Sequence, residues 1–289
     1  MRVRATVVAG VWLIASVAQP HGRAIQLPSV SGPLQHARGQ NVAPIYEGWY
    51  RSPDGAIHVS FGYLNKNYEE ALDIPIGAAN RIEPGPPDQG QPTHFLPRRH
   101  YGVFVVTLPK DRPKTEITWT IAIRGRTESV PANLSDLYLI DALEHVGGTD
   151  EGNTPPMLKF DAAADASAVG PAGLTRTLSA SVSRTVPLSV WVGDQRPANA
   201  SDAKAEAVRP GARSRYTVVW SKYRGAGDVR FSNARPALER GMATTEVTFA
   251  EPGDYVLRVV GLRGTGFGGQ CCWTNGYVKV NVGRGSEPR

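Results

Sequence analysis

Two runs of the sequence decide the fold: TVVWSKYRGAGDVRFSNARP at positions 217–236 and ATTEVTFAEPGDYVLRVV at positions 243–260. In the second run Tyr255, Leu257 and Val259 share one parity. Apolar side chains at every second position are typical of a half-buried β-strand. The pattern predicts strands at 216–223, 228–232, 244–250 and 254–262.

The same alternation continues on both sides of these runs. Turn signals separate the segments at intervals that are typical of β-sandwiches. Three more strands are predicted, at 175–183, 188–192 and 276–282. The sequence therefore predicts a β-sandwich domain at 174–283, followed by a short tail at 284–289.

The stretch 217–260 resembles the PKD and related immunoglobulin-like domains of exported bacterial proteins. In that family a Pro-Gly pair turns between two strands and a tyrosine packs across the turn, which here corresponds to Pro252, Gly253 and Tyr255. The resemblance implies that Trp220 and Tyr255 are core residues. It implies a fold and not a function, because such domains serve as spacers, adhesion units or ligand platforms. The remaining residues that carry it are Gly227, Val229, Phe231, Thr248, Phe249, Leu257 and Val259.

The first half of the chain has a similar alternating pattern, but it resembles no family that we recognise. Ser52-Pro53-Asp54-Gly55 is a turn signal that predicts a hairpin between segments 46–51 and 56–64. Further strands are predicted at 101–108, 116–123 and 127–134. We therefore predict a sandwich domain at 41–141, with a long Pro- and Gly-rich loop at 77–97. The whole chain is predicted to be all-β, two immunoglobulin-like sandwiches joined by a Gly/Ala/Pro-rich linker at 142–173.

The N-terminus has the pattern of a secretory signal peptide. Arg2 and Arg4 precede an uncharged apolar run at 5–18 that ends in small residues. This run is shorter than the roughly 20 residues that span a bilayer. We expect cleavage after Ala18 or, alternatively, after Ala24; an uncleaved anchor is the other interpretation. With a flexible leader at 19–40, the sequence predicts a secreted or periplasmic protein that has no membrane span after signal cleavage.

The charge of the chain argues against nucleic acid as a partner. The net charge is +6 over 289 residues, and removal of residues 1–18 would lower it to +4, which is mild. The basic pairs are scattered and have no recognisable binding motif around them.

The adjacent pair Cys271-Cys272 is the most unusual motif. Neighbouring Cα atoms are about 3.8 Å apart, whereas ordinary disulfides need about 4.4–6.8 Å, so a bond between the two would close a strained and stiff loop. One interpretation is a rigid hydrophobic knob in which Cys271, Cys272, Trp273 and Phe267 contact a ligand or partner. The other is that this hairpin packs on its own domain. Two thiolates alone fall short of a zinc site.

The loop at 77–97 is the second candidate surface. It contains Glu83, Asp88 and His94, whose donor atoms suit a cation or a polar ligand, although their spacing matches no known metal-binding loop. Two of its carboxylates offer an acid/base pair as an alternative. A cover that packs on itself is the third interpretation.

No pattern of a catalytic centre is present. The sequence has neither a His-Glu-x-x-His run nor a Gly-x-Ser-x-Gly motif. We therefore predict that the protein is not an enzyme, needs no cofactor or metal, and is an exported binding or assembly module for an unknown protein or glycan ligand outside the cytoplasm. The alternatives are a carbohydrate-active hydrolase that uses the acids of the 77–97 loop and a purely structural spacer.

Overall fold

The computed structural model describes residues 35–109, 116–140, 143, 155–161, 166–193, 216–263 and 272–284. The regular elements of these residues are β-strands, apart from one 3-10 turn at Asp136–Tyr138. The predicted all-β class is confirmed. Residues from Gln35 onward form one compact unit. The predicted signal peptide lies outside the described residues, and within them no helix is long and apolar enough to cross a membrane.

The first half forms a sandwich of two three-stranded sheets. One sheet has the order β1-β2-β6 and the other has the order β4-β7-β8. Phe61, Phe104 and Trp119 pack between them, with ring centroids 5.0–5.8 Å apart. A pair of two-residue strands, β3 and β5, lies beside the sandwich. The strands are β1 (Val42–Arg51), β2 (Ile57–Asn65), β3 (Leu72–Asp73), β4 (Asn80–Glu83), β5 (His94–Phe95), β6 (Arg98–Thr107), β7 (Ile117–Ile123) and β8 (Arg126–Ala132).

The second half forms a larger sandwich. One sheet has the order β10-β17-β16-β12, and the other has the order β13-β15-β11-β9 with β14 beside β15. β9 lies inside the predicted linker and pairs with β11, so part of 142–173 belongs to this sandwich. The strands are β9 (Met157–Lys159), β10 (Leu174–Ser181), β11 (Val186–Gly193), β12 (Tyr216–Arg224), β13 (Val229–Phe231), β14 (Leu238–Glu239), β15 (Met242–Phe249), β16 (Gly253–Arg263) and β17 (Trp273–Gly283).

Both sandwiches have the immunoglobulin strand order. Constant-type immunoglobulin domains pair strands A, B, E and D in one sheet and C, F and G in the other. In the second sandwich β9, β11, β15 and β13 form the first of these sheets, while β12, β16 and β17 form the second. In the first sandwich β1, β2 and β6 correspond to A, B and E, and β4, β7 and β8 correspond to C, F and G.

The turn between β15 and β16 fixes the core of the second sandwich. Gly253 has a φ of 143°, which favours glycine. The Tyr255 hydroxyl donates to the Glu251 carbonyl at 2.8 Å, the arrangement of a tyrosine corner. Tyr255 and Trp220 are each 2% exposed. Pro252 lies in this turn, immediately before β16.

Candidate functional site

Part of the β12-β16-β17 sheet of the second sandwich is buried on both faces. Along β16, Leu257 and Val259 face the core of their own sandwich. The opposite parity, which includes Arg258 and Val260, is buried as well. This second face lies against β6, so the two sandwiches share an interface.

The carbonyl of Gly102 on β6 is the centre of this interface. Asn275 Nδ2 donates to it at 2.7 Å, and Arg258 Nη2 and Trp273 Nε1 approach it at 3.3 and 3.4 Å. Arg258 also donates to the Tyr101 carbonyl at 3.3 Å and to Asn275 Oδ1 at 2.8 Å. Arg258 is only 4% exposed. A buried cation of this kind requires such hydrogen bonds, so the network holds the two sandwiches in one register.

Gly102 is the position of closest approach between the sandwiches. Its φ is 44°, and an added Cβ would lie 2.2 Å from Cζ2 of Trp273. No larger residue fits there unless the indole moves. Trp273 is 2% exposed. The interpretation of Trp273 as a contact for an outside ligand is therefore wrong for this side chain, because the indole fills the space over Gly102.

An ion pair with a buried carboxylate lies behind Gly102. Glu47 is 5% exposed and accepts two hydrogen bonds of 2.8 Å from Arg99, together with one of 3.3 Å from the Gly102 amide. Burial raises the pKa of Glu47, while Arg99 opposes the rise. The carboxylate lies over Gly62, where an added Cβ would be 2.0 Å from Glu47 Oε1. The backbone of Gly102 is thus held from both sides.

His100 lies on β6, two residues before Gly102. Its ring stacks on Tyr63 at 4.9 Å, and Nε2 lies 3.0 Å from the Pro97 carbonyl. Burial, together with the positive charges of Arg258 and Arg99, lowers the pKa of His100 to about 4, although the Pro97 carbonyl opposes the shift. The imidazole is therefore neutral at physiological pH.

The loop at 77–97 packs against the second sandwich and on itself. Arg224 holds Asp88 through two hydrogen bonds of 2.8 and 2.9 Å, and its Nε donates to the Gln91 carbonyl at 2.9 Å. The Tyr223 hydroxyl donates to the Gly90 carbonyl. Within the loop, the Gln89 amide donates to three carbonyls, those of Ile82, Pro84 and Pro86.

The structure does not bring the three predicted cation ligands together. Glu83 pairs with Arg81 at 2.9 Å, Asp88 pairs with Arg224, and His94 Nδ1 lies 2.8 Å from Asp73 Oδ1. Among the described residues no group of three or more His, Cys, Asp or Glu side chains is placed to hold a metal ion. The charged side chains of this loop are therefore paired with other side chains of the protein.

The cysteine motif is described only in part. Cys272 has a φ of 82° and is disulfide-bonded. Cys271 and Phe267 lie outside the described residues, so the predicted bond between neighbouring cysteines and the predicted role of Phe267 stay predictions. Cys272 immediately precedes the buried Trp273.

A cleft of about 320 Å³ opens between the two sandwiches. The loop at 77–97 and β6 form one wall, and the β10-β17-β16-β12 sheet forms the other. Asp88 is the carboxylate among its lining residues, and Arg224 and Lys279 are the cations. Among these residues, the sequence analysis had predicted Asp88 as a candidate ligand-binding residue. It missed Arg224, Tyr277 and Lys279, because they come from strands more than 130 residues away.

Comparisons with known proteins do not assign the chain to a family. No family model matches the chain, and no curated protein matches it. Domains 4 and 5 of the S-layer protein SbsC match with 15% identity over 62% of this chain and 70% of that chain, at a TM-score of 0.24. The D00-D0 domain of intimin matches with 12% identity over 83% and 99%, at 0.26, and the titin Ig tandem A164-A165 with 11% over 85% and 100%, at 0.20. TM-scores this low carry no argument, and the immunoglobulin-like fold rests on the strand order described above.

Proposed function

We propose that this protein is an exported, non-catalytic module in which two immunoglobulin-like sandwiches act as one rigid binding or assembly unit. Export is supported by the basic and then apolar pattern of residues 1–18. Rigidity is supported by the buried network around Gly102, because Arg258, Trp273 and Asn275 of one sandwich all donate to the Gly102 carbonyl of the other. The partner we expect is a protein or a glycan outside the cytoplasm.

The pairing of Asp88 with Arg224 is the observation that carries the non-catalytic assignment. A glycoside hydrolase needs two carboxyl groups roughly 5–10 Å apart beside the substrate, whereas Asp88 is the one carboxylate among the described lining residues of the cleft. Hydrogen bonds from Arg224 hold the pKa of Asp88 below its usual range. A general acid at neutral pH needs a raised pKa instead. Asp88 is thus suited to bind Arg224 and unsuited to donate a proton.

A substrate panel tests this assignment. Chromogenic glycosides, esters and phosphates are incubated with the native protein, with Asp88→Asn and with Asp254→Asn, an exposed acid outside the cleft. We expect no turnover by any of the three proteins. Turnover by the native protein that is lost in Asp88→Asn and retained in Asp254→Asn would establish the hydrolase alternative.

Export has its own test. The full chain is expressed in a bacterial host, and the intact mass is measured in each cell fraction. We expect a mature protein that begins after Ala18 or Ala24 and lies outside the cytoplasm. A full-length protein confined to the cytoplasm would contradict export and would leave the non-catalytic assignment standing.

A further inference from the structure

The cleft between the sandwiches has a cation without a direct ion pair, although its charge helps to lower the pKa of Asp88. Lys279 lies on β17 and is exposed, and among the described residues it has no ion-pair partner within 4 Å. Arg224, the other cation of the cleft, already has both carboxylate oxygens of Asp88. The described lining groups therefore leave one positive charge without a partner.

The strand register places Lys279 beside an apolar wall. Lys279 pairs with Val256 on β16, and Val256 pairs with Arg224 on β12. Strands are about 4.8 Å apart, so the two cations flank the valine in one row. Val105 of the first sandwich lines the opposite wall. A ligand in this cleft meets apolar surface along its body and a positive charge at one end.

A hydroxyl and an aromatic ring complete the site. Thr175 pairs with Tyr277 on the neighbouring strand and lies two residues before the position that pairs with Lys279. Its hydroxyl has no side-chain hydrogen bond in the described part of the chain, so it is able to donate to an anion. The Tyr277 hydroxyl, by contrast, is engaged by the Val103 carbonyl at 2.7 Å. Tyr277 therefore presents its ring and not its hydroxyl.

From this geometry we infer that the cleft is a binding site for a small organic carboxylate with an apolar or aromatic body. The carboxylate binds the Lys279 ammonium and the Thr175 hydroxyl, and the body packs between Val256, Val105 and Tyr277. The cleft volume lies at the lower end of the range of roughly 300–1,000 Å³ that is typical of ligand pockets. A ligand of suitable size is therefore a single ring with a short acidic side chain. The inference rests on the proposed function in one respect, that the cleft binds its ligand and does not transform it.

Phenylacetate and its neutral isostere phenylacetamide test the site. Both are titrated into the ¹⁵N-labelled protein, and amide shifts are followed at Thr175 and Lys279. We expect saturable shifts at these residues with phenylacetate, at about millimolar affinity as is usual for so small a ligand, and binding of phenylacetamide about tenfold weaker. Lys279→Met should weaken phenylacetate binding about tenfold and leave phenylacetamide binding unchanged. Lys159→Met makes the same change of charge on β9 and should behave as the native protein.

The following binding results would overturn the inference. Equal affinity of Lys279→Met and the native protein for phenylacetate would exclude Lys279 as the anion partner. Equal binding of the acid and the amide, shifts confined to other residues, or no saturation up to about 20 mM would exclude the site. New ligand signals from a reaction product would contradict the non-catalytic function and leave the site standing. Absence of binding without turnover would overturn the site alone.

Discussion

Replacing Gly102 by alanine should separate the two sandwiches. Alanine at a φ of 44° costs about 1–2 kcal/mol. Its Cβ would lie 2.2 Å from the Trp273 ring, so the indole or β6 must shift, and such overpacking costs about 1–3 kcal/mol. A shift also weakens the hydrogen bonds that the Gly102 carbonyl accepts, each worth about 0.5–1.5 kcal/mol. We expect a loss of about 3–6 kcal/mol in the free energy of unfolding.

Urea unfolding followed by far-ultraviolet circular dichroism and tryptophan fluorescence measures this loss. Gly125→Ala is the matched control, because Gly125 has a φ of 71° and no heavy atom within 4 Å of an added Cβ. It should cost only the conformational 1–2 kcal/mol or so. In a Trp273→Ala background the cost of Gly102→Ala should fall by about 1–3 kcal/mol, since the overlap is gone. Equal losses for Gly102→Ala and Gly125→Ala would refute the close packing at this position.

Three more predictions concern stability, pH and the thiols. Tyr255→Phe removes the hydrogen bond of the tyrosine corner and should lower the free energy of unfolding by about 1–2 kcal/mol. Trp220→Ala leaves a cavity in the core and should lower it by about 3–5 kcal/mol. Chemical unfolding measures both losses, and a Trp220→Ala protein as stable as the native one would contradict the sandwich. His100 has its pKa lowered to about 4 in the folded protein, so the unfolded chain binds a proton first. Stability should be full above about pH 6.5 and fall by up to about 3 kcal/mol toward pH 4, and His100→Gln should lose this part of the pH dependence; an unchanged pH profile in the variant would contradict burial of a neutral imidazole. Intact mass after alkylation without reductant should be unchanged if Cys271 and Cys272 are bonded, and addition of two alkyl groups would refute that bond.

The β-sandwich could be predicted from the sequence because alternation is a local signal. Tyr255, Leu257 and Val259 fall on one parity, and the structure places that parity in the core. The other parity of the same strand contains Val256, Val260 and Leu262. This second apolar set was a signal that both faces of the sheet are covered. This pattern does not identify the strand that covers the second face, because the sequence does not indicate which distant strand packs against it.

The interface could not be predicted because its contacts are non-local. Asp88 looks like a metal ligand when only its own loop is considered, yet its partner Arg224 is 136 residues away. Trp273 beside a cysteine pair looks like an exposed knob, yet the missing Cβ of Gly102 makes room for it inside the protein. A glycine inside a strand pattern does indicate a bulge or a close approach. Which side chain makes that approach depends on how the two sandwiches pack.

The rotational diffusion of the two sandwiches in solution tests the rigid unit most directly. Amide ¹⁵N relaxation of the native protein yields an overall correlation time separately for residues 42–132 and for residues 216–283. We expect one common value, because buried Arg258 and Asn275 fix the carbonyl of Gly102 between the sandwiches. Two distinct and shorter correlation times would show domains that tumble independently and would contradict the account.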